Sequence, residues 1–312
     1  MACPPGFRPG PSGSRCCSAA AALKMRRVLS TYLFVEHRLT VALLDRILRS
    51  GVGEIEIFCA RQHIDYHNRA QIEELRHWFR DVDLKVHSIH APLFSDDIWG
   101  RSGPNAHISV TETSKAKRIA ATDEIKRAIE LADSIPFKYC IQHIGVPEEE
   151  YDDDKIEAAF NSLDELIVFG KQLGVEVLAE NTPNAFSRAE RLKLFVGTTH
   201  LPLNFCFDTG HAHLSGGVET EFHLIKDRIR STHVHDNDGE LDNHVFPLTG
   251  DDGSGDNSGN GSIEWGPAMA LLDSCDDDVP LVLELREVPE MEKPLVEVQN
   301  CFEKLESALD GR

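Results

Sequence analysis

The sequence predicts an α/β fold in the form of a single (β/α)8 TIM barrel. Two observations carry that expectation. From Arg27 onward, short β-rich runs alternate with amphipathic helical runs, and the βα units so formed average roughly 35 residues, the usual size of a barrel unit. The long connections, 91–110, 236–262 and the shorter 60–69, all follow strands rather than helices, which gathers them at the barrel face where loops build sites. A doubly wound open sheet is the runner-up, and no glycine-rich phosphate turn follows the first strand to support it. At 312 residues the length suits one large barrel as well as two average domains.

Residues 1–24 are rich in Pro, Gly, Ser and Ala without sustained periodicity and read as a disordered leader, which leaves 25–312 for the barrel domain. The apolar stretch at 19–23 is too short for a secretory signal, and a short transit segment is the alternative. The first strand is the apolar run 28–36. Helix 41–49 follows and ends at Gly51-Val52-Gly53, a helix-to-strand turn, since a phosphate loop would end in Gly-Lys-Ser/Thr. Strand 54–59, helix 70–80 and strand 84–90 come next, and the long helical run 114–134 leads into strand 138–143. Helix 156–173 precedes strand 175–180. Strands 203–208 and 230–235 are separated by the helical stretch 221–225, and strand 281–285 with helix 295–309 completes the pattern.

Hydrophobic residues make up 41% of the chain, charged residues 27% and aromatics 7%, enough to bury a sizeable core. Lys and Arg total 32 against 52 Asp and Glu, a net charge of −20 that argues against capture of nucleic acid or an anionic membrane. No run approaches the roughly 18 uncharged apolar residues of a membrane span, so membrane insertion is excluded. The eight cysteines contain no C-x-x-C pair, and Cys59, Cys140 and Cys206 lie inside apolar runs, as expected of buried free thiols in a reducing cytoplasm. A homodimer is compatible with barrel-side helices, although no oversized apolar face compels one.

Polar residues at strand ends carry the chemistry. His90, His143, Glu180, Asp208, His233 and Glu284 each end or occupy one of six consecutive strands, and in a closed barrel these ends converge on one mouth able to hold divalent cations. A lone strand-end His is ordinarily a surface or hydrogen-bonded residue; six metal-type side chains in succession are harder to explain that way. Glu180 and Glu284 follow apolar runs, where a buried carboxylate is costly unless a cation or a proton compensates it. His211, three residues after Asp208, and the D-N-H pair Asp242 and His244 join the candidates. Mixed imidazole and carboxylate ligation suits zinc or manganese, with magnesium or cobalt as further candidates.

The motifs H-A-P at 90–92, E-N at 180–181, D-T-G-H at 208–211, H-V-H-D at 233–236, D-N-H at 242–244, P-L at 247–248 and G-N-G-S-I-E-W at 259–265 occur in that order. With them, the segment from 28 to 309 resembles the sugar phosphate isomerase/epimerase superfamily with the xylose isomerase-like barrel, which also contains endonuclease IV. The resemblance implies that Glu180, Asp208, His233 and Glu284 form the metal quartet of the ketose epimerases. In the endonuclease branch His90, His143 and Glu180 would hold one zinc, the quartet a second, and His211, Asp242 and His244 a third. The family pattern P-L-G-x-G-x-I is split here by residues 249–258, read as a plain loop, because a calcium loop would end in a bidentate Glu.

What the resemblance implies first is a metal-dependent isomerase or epimerase of a sugar or sugar phosphate, moving a proton beside a carbonyl through a metal-stabilised enediolate. Glu180 and Glu284 would remove and return the proton, Asp208 and His233 fix the ion, and His211 polarise a substrate oxygen. Arg286 would bind a substrate oxygen or orient a carboxylate, or else point outward in a salt bridge. Dehydration of a sugar-like ring is a near variant. The second expectation is endonuclease IV-like cleavage of abasic DNA: nine candidate ligands favour it, while loop 91–110, with Arg101 alone against Asp96 and Asp97, and loop 236–262, without Lys or Arg, disfavour it. The third is a barrel that binds metal or a small ligand without turnover. The expected partner is therefore a small sugar, sugar phosphate or polyol rather than nucleic acid or a membrane.

Overall fold

The computed structural model of the chain describes residue 1 and residues 25–248, 261–276, 278–288 and 291–310. The expected leader (apart from Met1) and the insertion 249–258 lie outside the described residues. Strands and helices alternate: β1 (Arg27–Ser30), α1 (Val41–Arg49), β2 (Glu54–Phe58), α2 (Arg69–Asp81), β3 (Lys85–His90), α3 (Lys115–Ile129), β4 (Tyr139–His143), α4 (Asp153–Gln172) and β5 (Glu176–Glu180). They continue with α5 (Ala189–Thr199), β6 (Asn204–Asp208), α6 (Thr209–Ser215), α7 (Val218–Ile225), β7 (Ile229–His233), α8 (Trp265–Asp273), β8 (Leu281–Leu283) and α9 (Pro294–Asp310). Neighbouring strands pair in parallel in the order β7-β6-β5-β4-β3-β2-β1-β8. Val234, just past β7, closes the ring onto β8 by a parallel bridge to Leu283, its N–H donating to the Val282 carbonyl at 2.8 Å. The result is the (β/α)8 barrel that the alternation predicts. No described helix is long and apolar enough to cross a membrane.

Period-two alternation along each strand divides the core in two. Leu29, Ile55, Ile57, Ile89, Val177 and Phe205 face the helices and join Leu44, Ile47 and Leu163 in one large apolar cluster. Tyr139, Ile141, Leu178 and Cys206 form a separate cluster inside the barrel. Two residues beyond Leu178 and Cys206 lie Glu180 and Asp208, so the same alternation that packs the barrel's interior aims these carboxylates into its mouth. Local sequence sets the helix starts: the Thr40 hydroxyl accepts from Leu43 N, the Asn68 side chain from Ala70 and Gln71 N, and Asp152 from Asp154 N.

The structure departs from the sequence reading in four elements. The first strand ends at Ser30 and turns into a 3-10 turn over Thr31–Phe34, whose entry is held by Ser30 Oγ accepting from Tyr32 N. Helix α5 is anchored by a cap that is remote in sequence, Glu221 Oε2 accepting from Ala189 N at 2.6 Å. Helix α6 springs from the Asp208 cap inside D-T-G-H, and α8 carries Gly266 and Pro267 in its first turn, where proline is tolerated, so that a G-P pair resembling a turn lies within a helix. Cys59, Cys140 and Cys206 are buried free thiols, and burial pushes the pKa of each upward.

Candidate metal centre

Glu180 ends β5, Asp208 ends β6, His233 ends β7 and Glu284 follows β8, all within the barrel mouth and all at or near zero exposure. One donor atom from each lies within 4.8 Å of the others. His233 Nδ1 is 3.0 Å from Glu180 Oε1, 3.3 Å from Glu284 Oε2 and 4.0 Å from Asp208 Oδ2. Bonds of about 2.0–2.2 Å at tetrahedral angles separate donor atoms by roughly 3.3–3.6 Å, so these spacings suit a shared cation. Asp208 Oδ2 is buried with no hydrogen-bond partner, which is the state of a lone pair awaiting a cation.

Two further groups border this one. His90 Nε2, His143 Nε2 and Glu180 Oε2 lie 3.0–3.4 Å apart pairwise, so Glu180 presents one oxygen to each of two groups. On the other side stand His211, His235, Asp242 and His244. Asp242 Oδ2 is 3.1 Å from His211 Nε2, and Asp242 Oδ1 is 3.4 Å from His244 Nε2 and 3.8 Å from His235 Nε2. The Nδ1 atoms of His211, His235 and His244 lie 3.0, 3.3 and 2.9 Å from the carbonyl oxygens of Asn181, Asp236 and Glu284. A carbonyl only accepts, so these contacts place a ring proton on each Nδ1 and turn the Nε2 atoms toward carboxylates, those of His211 and His244 toward Asp242 and that of His235 between Asp242 and Asp208. His235 Nε2 is buried and lies 3.1 Å from Asp208 Oδ1, which links this group to the quartet.

The electrostatics express a demand for positive charge. Burial acts to raise the Glu180 pKa, yet the His233 and His143 rings beside it, with their hydrogen bonds, hold it well below the usual carboxylate range. Burial acts to lower His233 and His211, but Cys206 with Glu284, Glu56 and Glu180 raises His233, and Asp208 with Asp242 raises His211, both well above the ordinary imidazole value. His244 likewise rises, to about 9, because Asp242 and Glu284 outweigh its burial. Protons on the rings supply the charge that a divalent cation would otherwise provide, and a cation would displace them. The donor set therefore fits such an ion.

Supporting groups fix the ligands in place. Asp236 accepts from Asn237, Ser262 and Ile263 N and from Trp265 Nε1, tying both ends of the described part of the 236–262 connection to the barrel mouth. Gly210 passes so close to His235 that a β-carbon there would lie 2.0 Å from His235 Cε1. Asn181, of the E-N motif, bridges β5 to β6 by donating to Asp208 O and accepting from Asp208 N.

A cavity of about 220 Å³ opens over the groups, walled by Tyr32, Phe58, Leu93, Phe94 and Trp99 and floored by His90, His143, His211, His244, Asp242 and Glu284. No Lys or Arg is among its described lining residues. A larger and more open cavity of about 850 Å³ adjoins it past His107 and Ile108, beside α3, and carries none of the three candidate groups. The sequence-selected residues His90, His143, Glu180, Asp208, His211, His233, Asp242, His244 and Glu284 are thus brought together. The Arg286 side chain is exposed and does not line the cavity, while its N–H donates to the His244 carbonyl at 2.9 Å. The sequence reading passes over His235, which shares a strand face with His233 in T-H-V-H-D, and Glu56, a carboxylate alternating with Ile in E-I-E-I-F. Period-two spacing was the signal available for both.

Residues 44–305 match the family model described as a xylose isomerase-like TIM barrel. Among curated relatives, the uncharacterized protein MJ1614 of Methanocaldococcus jannaschii is 25% identical over 224 residues, 71% of this chain and 81% of that protein. A solved D-tagatose 3-epimerase-like protein superposes with a TM-score of 0.70 at 20% identity, covering 92% of this chain and 99% of that one. The IOLI protein, solved with a binding zinc atom, superposes with a TM-score of 0.63 at 18% identity, covering 91% and 96%. At these identities the two structures share the fold of this chain.

Proposed function

The chain belongs to the xylose isomerase-like TIM barrel family, and from that membership we propose that it is a metal-dependent isomerase or epimerase of a small sugar or polyol derivative. The observation that carries the reading is the convergence of Glu180, Asp208, His233 and Glu284 from four strand ends on one buried point. These four would hold the ion. When bound, a divalent cation, zinc or manganese by its mixture of donors, supplies positive charge that polarises a substrate carbonyl and steadies the negative charge developing on it. The D-tagatose 3-epimerase-like and zinc-binding structures of the same fold support both the substrate class and the ion.

Glu180 at the end of β5 and Glu284 just past β8 reach the cluster from strands separated by β6 and β7, and one takes a proton from the carbon beside the carbonyl while the other returns it. His211, with Nδ1 committed to the Asn181 carbonyl, turns Nε2 toward Asp242 and holds a substrate oxygen there. Tyr32, Phe58 and Trp99 exclude water above. A volume of about 220 Å³ without Lys or Arg in its described lining favours an unphosphorylated sugar, and residues 249–260 contain no Lys or Arg either. Dehydration of a sugar-like ring uses the same groups. The buried free thiols are in keeping with action in the cytoplasm.

The test is a screen of the zinc- or manganese-loaded protein in deuterium oxide with ketoses, ketose phosphates and inositol derivatives. The expected result is deuterium incorporation at carbon for at least one unphosphorylated compound, abolished in Glu284→Gln. No incorporation from any compound, with metal tightly bound, would identify a binding barrel without turnover. A second reading, cleavage of abasic DNA, is favoured by the two further ligand groups flanking the quartet, and nicking of an abasic-site duplex would establish it in place of the first.

A further inference from the structure

Glu56 lies on β2, inside the barrel, fully buried and outside the cavity lining. A carboxylate in that position has no surface role. Its Oε2 accepts from Ser88 Oγ at 2.7 Å and lies 3.1 Å from His233 Nε2, while Oε1 is buried without a partner. On the opposite edge of the same ring, His233 Nδ1 faces Glu180, Glu284 and Asp208. The imidazole is thus suspended between one carboxylate on its Nε2 side and the candidate ligands on its Nδ1 side.

Both ring nitrogens contact carboxylates, Nδ1 lying 3.0 Å from Glu180 Oε1 and Nε2 3.1 Å from Glu56 Oε2; a cation taking the Nδ1 side would displace the proton there, and Glu56, which only accepts, would keep the remaining ring proton on Nε2. His233 differs in this from its neighbours. His90, His211, His235 and His244 each commit Nδ1 to a backbone carbonyl and present Nε2. Only a partner on the floor of the barrel can hold the opposite tautomer of His233, and Glu56, with Ser88 steadying it, occupies that place. A carboxylate partner also makes imidazole a stronger electron donor than a neutral carbonyl partner does.

We propose that Glu56 is a positioning residue that orients His233 and keeps its proton on Nε2, so that Nδ1 is the atom that ligates a divalent cation. The inference rests on the metal reading of the quartet. Substitutions Glu56→Gln and Glu56→Leu test it, the amide oxygen of Gln still being able to accept from Nε2. Zinc affinity, measured by chelator competition, falls about 10- to 100-fold in Glu56→Leu, the range seen when partners of metal-ligating histidines are removed, and falls less in Glu56→Gln. Long-range ¹H–¹⁵N spectra of the zinc-loaded wild-type protein, with His233 assigned by its loss in His233→Asn, show a protonated Nε2 and a metal-bound Nδ1. Should Glu56→Leu fail to fold, the spectrum still settles which nitrogen of His233 binds zinc, and the affinity of Glu56→Gln tests the role of Glu56, unchanged affinity there counting against it. Wild-type protein that binds zinc with His233 through Nε2, or Glu56→Leu that binds zinc as tightly as wild type, overturns this inference alone. Wild-type protein that binds no zinc overturns the metal reading and this inference with it.

Discussion

The N–H of His211 donates to Asp208 Oδ1 at 2.6 Å, so the carboxylate that starts helix α6 also turns its other oxygen, Oδ2, without a partner, toward Glu180, His233 and Glu284. One side chain therefore serves two ends: it fixes the helix that carries His211 and offers a donor to the cluster. The two uses are separable by substitution.

Asparagine caps helices about as well as aspartate but carries no charge. Asp208→Asn should unfold within about 1 kcal/mol of wild type in the presence of chelator, whereas Asp208→Ala should lose about 1 kcal/mol more by removing the cap. Both should lose zinc affinity. Urea unfolding alongside chelator competition checks the separation, and an Asp208→Asn protein with undiminished zinc affinity would remove Asp208 from the ligand set.

Gly210 is required by space. A β-carbon at this position would meet His235 Cε1 at 2.0 Å, against a ring held on its far side by stacking on His244 at 3.8 Å between centroids. Gly210→Ala should therefore destabilise the fold by about 1–3 kcal/mol, the range for forced overpacking. Thermal unfolding at matched conditions measures it, and an unchanged midpoint would show that His235 yields freely.

Asp236 satisfies four donors at once, three backbone N–H groups and the indole of Trp265. Replacing it by alanine leaves Ser262 N its bond to the Asn237 carbonyl but strips the acceptor from Asn237 N, Ile263 N and the Trp265 indole, and each such buried donor costs about 1–3 kcal/mol. With partial relaxation, Asp236→Ala should lose about 3–5 kcal/mol and shift the Trp265 fluorescence as the indole loses its acceptor. Wild-type stability in Asp236→Ala would mean that the connection is held by other contacts.

His63 is fully buried, its Nδ1 contacting the His37 carbonyl, and burial pushes its pKa down from 6.5 to about 4. The folded state keeps the ring neutral where the unfolded chain already binds a proton, so its contribution to stability is complete above pH 6.5 and is lost as the pH falls toward 4. The loss should approach about 3 kcal/mol, from 1.36 kcal/mol per unit of pKa. Urea midpoints across that window should show a one-proton slope in wild type that is absent in His63→Phe.

The barrel and the six ligand-type residues at strand ends were legible because both follow from short-range regularities, and His211, Asp242 and His244 were legible as motif neighbours of those ends. Apolar runs of strand length alternate with helical spacing, and parallel strands that end in Glu, Asp or His must aim those ends at one mouth once the ring closes. Helix α5 was illegible because its cap, Glu221, lies 32 residues away, and α8 because its Gly-Pro pair resembles a turn. Glu56 was missed for a different reason. A buried carboxylate one layer beneath the site takes its meaning from His233, a partner 177 residues further along the chain. Pairings of that kind need coordinates.

The most direct measurement is anomalous scattering at the zinc absorption edge from crystals of the zinc-loaded protein. The account predicts a peak enclosed by Glu180, Asp208, His233 and Glu284, with His233 Nδ1 at about 2.0–2.1 Å from it. A crystal with zinc bound elsewhere on the chain and no peak between those four side chains would contradict it.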